Sequence, residues 1–210
     1  MLLAADLVEI ITESLIQYFY NTKPLEWWGV ASGILCVWLA AKNKILNWPI
    51  AIVSVSIYIF IFFESKLYAD MGLQFYFLIT NFYGWYYWNK QKNLPKTETK
   101  ISLITKKEIL LSIGAIAVFT FFLGFFLYKK TDASFPFLDS FCTACSLVAQ
   151  VFLARKVLQN WLIWIFVDII YVSVYFSKEL YATGLMYALY IIIATIGFLD
   201  WRKIYREQIH

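Results

Sequence analysis

Charge is what this sequence has least of. Asp, Glu, Lys and Arg make up 15% of its 210 residues, against 61% hydrophobic and 20% aromatic residues, and the mean hydropathy is +0.65. A soluble domain usually carries about a quarter charged residues. The shortage leaves too few charges to cover a water-facing surface, so the chain reads as an all-α polytopic membrane protein. Histidine is nearly missing. The one copy, His210, ends the chain, which excludes histidine-based acid–base catalysis and the common histidine metal sites inside it. Cysteine is scarce too, and Cys36, Cys142 and Cys145 all sit in apolar runs. Cys142 and Cys145 have the spacing of half a zinc site without a second pair, so they read as small apolar residues on a buried helix face. Walker loops and GxGxxG or GxSxG motifs are absent, and nothing points to a cofactor, a metal or nucleic acid.

What is there is a series of seven apolar stretches, at about 25–42, 47–64, 68–88, 108–128, 136–154, 160–177 and 180–201. Each is near the roughly 20 residues that cross a bilayer as a helix. The links Glu64-Ser65-Lys66 and Ser177-Lys178-Glu179 are short enough to demand tight helical hairpins, whereas residues 89–108 form one long polar loop around Pro95. Ahead of the first stretch, Asp6, Glu9 and Glu13 recur at helical spacing on an apolar background. Residues 1–24 therefore read as an amphipathic helix at the interface or against the bundle, with an eighth span as the competitor. Lysine and arginine set the orientation. With the N-terminus outside, 13 of the 18 basic residues fall inside and 5 (Lys23, Lys66, Lys129, Lys130, Lys178) outside.

The chain also matches itself at a constant offset of 113. Asn47-Trp48 aligns with Asn160-Trp161, Tyr58 with Tyr171, Phe63 with Phe176, Leu67-Tyr68-Ala69 with Leu180-Tyr181-Ala182, Gly84 with Gly197 and Trp88 with Trp201, without a gap. Residues 25–88 and 136–201 then form two three-helix repeats. The basic loop and a fourth, linking helix (residues 89–135) join them, and a tail (202–210) follows. An offset of four spans is even, so the copies share one orientation. Transporters built on such parallel repeats bind substrate near the midplane between halves that rock.

Polar side chains inside spans raise the free energy unless partnered or used, so each is a functional candidate. In the third stretch Gln74 and Asn81 share a helix face, with Trp85 a turn further on. In the sixth, Trp164, Asp168, Tyr171 and Tyr175 make one stripe, preceded by Asn160 and Trp161. Amides and hydroxyls suit a sugar or a carboxamide, and aromatic faces suit a flat ring, better still a cationic one. Asp168 balances one positive charge or relays a proton. With no basic residue in mid-span, a phosphate is disfavoured. Gly29-x-x-x-Gly33 permits close helix approach within the protomer or between subunits. Pro49 is a hinge or a tolerated first-turn proline.

The segments YADMGLQFYFLITNFYGWYYW (68–88) and NWLIWIFVDIIYVSVYFSKELYATGLMYALY (160–190) resemble the bacterial nicotinamide riboside transporters of the PnuC family, from Trp27 to Trp201. The resemblance implies a SWEET-like fold of seven transmembrane helices in a 3+1+3 arrangement, assembled as a homotrimer in the bacterial inner membrane. It implies facilitated uptake of an unphosphorylated vitamin that a cytosolic kinase then traps. It places substrate contacts on Gln74, Asn81, Asn160, Trp161, Trp164 and Asp168. Thiamine, also a flat cation, is the alternative cargo. Two other classes compete: a membrane enzyme, for which Asp168 alone is no catalytic set, and a non-transporting receptor.

Overall fold

The computed structural model describes residues 2–21, 24–64, 68–92, 101–131 and 134–209. The link 65–67, most of the polar loop with Pro95, the basic residues Lys23, Lys66, Lys96 and Lys100, and His210 lie outside them. The described residues form eight helices: α1 (Leu2–Asn21), α2 (Pro24–Ala41), α3 (Asn47–Glu64), α4 (Tyr68–Lys92), α5 (Lys106–Lys130), α6 (Pro136–Ala154), α7 (Asn160–Ser177) and α8 (Tyr181–Glu207). Thus α2 to α8 fall on the seven apolar stretches. Five of them (α3, α5, α6, α7 and α8) are long and apolar enough to cross a membrane. In α2 the apolar part is short, Trp27–Ala41. In α4, Asp70, Gln74, Asn81, Lys90, Gln91 and Lys92 dilute the apolar content.

Local chemistry explains where the helices start and stop. Thr105 caps α5, accepting from the Glu108 N–H at 3.2 Å while the Glu108 carboxylate accepts from the Thr105 N–H at 2.9 Å, a capping box. Lys129 and Lys130 close the same helix against its negative end. Pro136 starts α6, where its missing N–H breaks no helical bond. Pro49 likewise lies in the first turn of α3. The α2–α3 and α6–α7 turns are built alike. Asn43 (φ 51°) and Lys156 (φ 57°) take the left-handed conformation. Lys44 N–H reaches Leu39 O at 2.8 Å and Val157 N–H reaches Phe152 O at 2.9 Å, the outer bond of a Schellman turn. Ser177-Lys178-Glu179 makes a third such turn, with Glu179 at φ 60° and Leu180 N–H on Tyr175 O at 2.9 Å.

Helix α3 packs between α2 and α4, and α7 between α6 and α8. The two groups meet along two seams, α2 on α8 and α4 on α6, while α5 packs on α6 and α1 touches α8. Tyr18 and Phe19 of α1 also meet Trp27 of α2 at ring distances of 5.8 and 5.3 Å. The Gly29/Gly33 pair serves packing within the chain. A Cβ on Gly29 would lie 3.1 Å from the Tyr58 ring, and one on Gly33 would lie 3.4 Å from Tyr190 Oη. Helix α5 turns Leu110, Leu111, Phe121 and Phe122 outward, as a lipid-facing helix does.

The starts of α3 and α7 and the later turns of α4 and α8 meet in a buried cluster of tryptophans. Trp48 meets Trp88 edge-on at 5.3 Å, Trp161 meets Trp201 edge-on at 5.5 Å, and Trp88 meets Trp201 at 5.9 Å. The seams are tied crosswise: Trp88 Nε1–H donates to Ala154 O of α6, and Trp201 Nε1–H donates to Ala40 O of α2, both at 3.1 Å. Ile101, from the segment before α5, is buried against this cluster. A two-residue bridge holds that segment: Ser102 N–H to Lys156 O at 3.0 Å and Leu158 N–H to Ser102 O at 2.9 Å. Lys156 is buried with its ammonium 4.4 Å from the centre of the Trp88 ring. Burial pulls its pKa down to about 8.

Candidate functional site

Beside the tryptophan cluster lies a cavity of about 380 Å³, in the range of small-molecule sites. Its lining residues come from α2, α3, α4, α6, α7 and α8. Trp48 and Trp161 line it and also belong to the cluster, which closes that end. Six residues expected from the sequence line it together: Gln74, Asn81, Trp161, Trp164, Asp168 and Tyr171. Two are placed elsewhere. Trp85 is not among the lining residues and is 40% exposed. Asn160 is fully buried, its Nδ2 donating to Val157 O at 2.7 Å, so it secures the start of α7.

The helices bring in residues that periodicity within one span did not mark. Thr143, Ser146 and Gln150 of α6 run along the lining at helical spacing. Gln150 Nε2 donates to Asn81 Oδ1 at 2.8 Å across the α4–α6 seam. Tyr187 and Tyr190 of α8 complete an aromatic wall. Tyr171 lies 4.9 Å from Tyr187, Tyr175 stacks on Tyr187 at 5.2 Å with 10° between planes, and Tyr190 meets Tyr187 edge-on at 6.1 Å. Ser54 and Asn47 of α3 add polar groups on the other side. The signal for the α6 stripe was present in the sequence as three polar residues on one face of an apolar helix.

The electrostatics are simple. Asp168, 5% exposed, is the one formal charge among the lining residues, which include no lysine, arginine or histidine. A buried carboxylate attracts a cation strongly in so apolar a setting. The surrounding rings offer their negative faces to the same charge. The polar groups of the lining (amides, hydroxyls and one carboxylate) suit an organic solute. Among the described residues no group of His, Cys, Asp and Glu has metal-binding geometry. Cys142 and Cys145 are free thiols packed with Val167 in a second, small apolar cluster.

Known proteins are similar to this chain in sequence and in architecture. A family model described as nicotinamide mononucleotide transporter matches residues 23–203. The chain is similar to the nicotinamide riboside transporter PnuC of Escherichia coli (strain K12), with 31% identity over 90% of this chain and 89% of that one. It is similar to its counterpart in Neisseria mucosa, 30% identical over 86% and 72% of the two chains. The riboflavin/roseoflavin transporter RibM of Streptomyces davaonensis is 23% identical over 82% of each. The crystal structure of the vitamin B3 transporter PnuC superposes with a TM-score of 0.70 at 27% identity, over 98% of this chain and 92% of that one. The chain therefore belongs to the nicotinamide mononucleotide transporter family, a family of membrane transporters rather than of enzymes.

Proposed function

We propose that this protein carries nicotinamide riboside across a bacterial inner membrane by facilitated diffusion, and that phosphorylation by a cytosolic kinase traps the product. The observation that carries this reading is the single carboxylate, Asp168, set among aromatic rings in a cavity lined without a basic residue. Nicotinamide riboside is a flat pyridinium cation bearing a carboxamide and a ribose. Its phosphate ester, the mononucleotide of the family description, would bring two further negative charges beside Asp168 with no cation to meet them. Gln74, Asn81, Trp161, Trp164, Asp168 and Tyr171 are the proposed contacts, with Trp85 and Asn160 supporting from outside the cavity. A second reading, thiamine or another flat vitamin in the same site, draws support from the riboflavin/roseoflavin relative.

The mechanism rests on reading the chain as a 3+1+3 duplication of seven spans. Residues 25–88 and 136–201 are the halves, 89–135 the loop and linking helix, 1–24 an interfacial helix and 202–210 a tail. Much of the cavity lining falls into pairs 113 apart: Gly33/Ser146, Val37/Gln150, Ala40/Leu153, Trp48/Trp161, Ala51/Trp164, Val55/Asp168, Tyr58/Tyr171, Gln74/Tyr187, Phe77/Tyr190 and Asn81/Ala194. A ligand site between parallel repeats is what rocking-bundle alternating access uses. The excess of basic residues on one side supports an outside N-terminus and an inside C-terminus. A homotrimer follows from the family resemblance. The deciding experiment is a binding titration of the purified protein, read by tryptophan fluorescence, against nicotinamide riboside, nicotinamide mononucleotide, thiamine and riboflavin. Tightest binding of the riboside is expected. A preference for the mononucleotide, or for thiamine or riboflavin, would replace it as the cargo.

A further inference from the structure

The bond between Gln150 and Asn81 has a chemical consequence. Both residues line the cavity, and both are more than nine-tenths buried. One amide–amide bond at 2.8 Å uses one donor and one acceptor. A pair of primary amides so joined still has N–H groups on one residue and carbonyl capacity on the other. Whichever way the two amides are turned, one residue keeps a donor and its partner keeps an acceptor. A primary carboxamide presents the complementary pattern, a C=O acceptor beside an N–H donor. A carboxylate offers two acceptors and no donor. The positions 113 away from Gln150 and Asn81 are Val37 and Ala194, which line the cavity but have no polar side-chain atom. The amide pattern is thus present on the α4–α6 seam and missing from its α2–α8 counterpart, so it orients whatever it binds.

We propose that Gln150 is a positioning and specificity residue: it fixes the amide of Asn81 so that the two together grip the primary carboxamide of the transported molecule. The inference rests on the nicotinamide riboside reading of the cavity. It separates the carboxamide from the corresponding acid, since a site built to pair with an N–H strongly disfavours an analogue lacking it. It also separates α6 from a purely structural helix.

The test titrates full-length protein with nicotinamide riboside and with nicotinic acid riboside, which differ in that one group. Wild type is expected to prefer the carboxamide by at least about tenfold. Gln150→Leu is expected to bind the carboxamide about tenfold more weakly and the acid with little change, collapsing the preference. Gln150→Glu keeps the volume. Its carboxylate accepts from Asn81 and from the ligand N–H, and Asn81 keeps a second N–H for the ligand carbonyl. That variant is therefore expected to retain the preference, and it serves where the leucine variant fails to fold. An equal loss of both ligands in Gln150→Leu, or an unchanged preference, overturns the inference while leaving the transport reading intact. So does a collapsed preference in Gln150→Glu. Wild-type protein that binds neither riboside overturns the underlying reading, and the inference with it.

Discussion

Asp168 has two jobs to reconcile: it is nearly inaccessible, and it is the charge a cationic substrate would meet. Replacing it with asparagine keeps the shape and removes the charge. A hydrogen-bonded or paired charge contributes about 1.5–3 kcal/mol, so uptake of a cationic substrate by Asp168→Asn should fall about 10- to 100-fold at low concentration. Trp164→Ala removes an aromatic face worth roughly 0.5–2 kcal/mol to a cation and should weaken uptake less. Both proteins should still insert and purify. Initial uptake rates with surface-expression controls would check this, and wild-type rates in both would remove the α7 stripe from the site. That stripe was legible because a charge among aromatics at helical spacing is rare in a span. Gln150, Thr143 and Ser146 went unread although they obey the same rule. Small and amide side chains in a packed helix serve helix–helix bonding equally well, and only the neighbour across the seam tells which use prevails.

At the scale of helices, the sequence marked starts and stops well because polar turns interrupt apolar runs. The ends of α4 and α8 ran on, to Lys92 and Glu207, because a helical backbone needs no apolar side chains once it leaves the bilayer. The fit between helices was not legible. Gly84 looked like half of a repeat match, and its reason is steric: a Cβ there would lie 2.4 Å from the Trp48 ring. Gly197 stands against Trp161 in the same way, at 2.8 Å. These indoles are walled in by the other tryptophans and have little room to yield. Gly84→Ala should therefore destabilise the protein by about 1–3 kcal/mol through overpacking. Gly72→Ala, with nothing within 4 Å of the added carbon, should be neutral or slightly stabilising through helix propensity. Thermal unfolding in detergent compares the two, and equal melting temperatures would show that the Trp48 contact is slack.

For the molecule as a whole, the positions paired by the 113-residue offset are alike at some points of the cavity lining and differ at others. Trp48/Trp161 and Tyr58/Tyr171 are the same in both, whereas Asp168 stands opposite Val55 and Gln74 opposite Tyr187. Asp168 is the one acid in the lining, which offers no second charged group to couple a driving ion to the substrate. Protein in liposomes without kinase or ion gradient should therefore take up substrate until the inside concentration equals the outside one. Accumulation that follows an imposed proton or sodium gradient would overturn facilitated diffusion. Chain length and hydropathy made the bundle legible, and the self-match located the paired lining positions. Which member of each pair carries the polar group was not foreseeable, because the offset aligns positions and says nothing of which side a ligand touches.

The crosswise indole bonds also bear on how the molecule is made. Trp88 on α4 is synthesised before its acceptor, Ala154, so its N–H has no partner there until α6 arrives. Ala40 waits longer, since its donor is Trp201, 161 residues downstream on the last helix. Helices inserted one after another in this way can gather early but cannot lock early. Final closure belongs to α8: a chain that stops before Trp201 would lack the indole bond across the α2–α8 seam, and Ala40 O would keep only the Asn43 N–H of its own turn, at 2.9 Å.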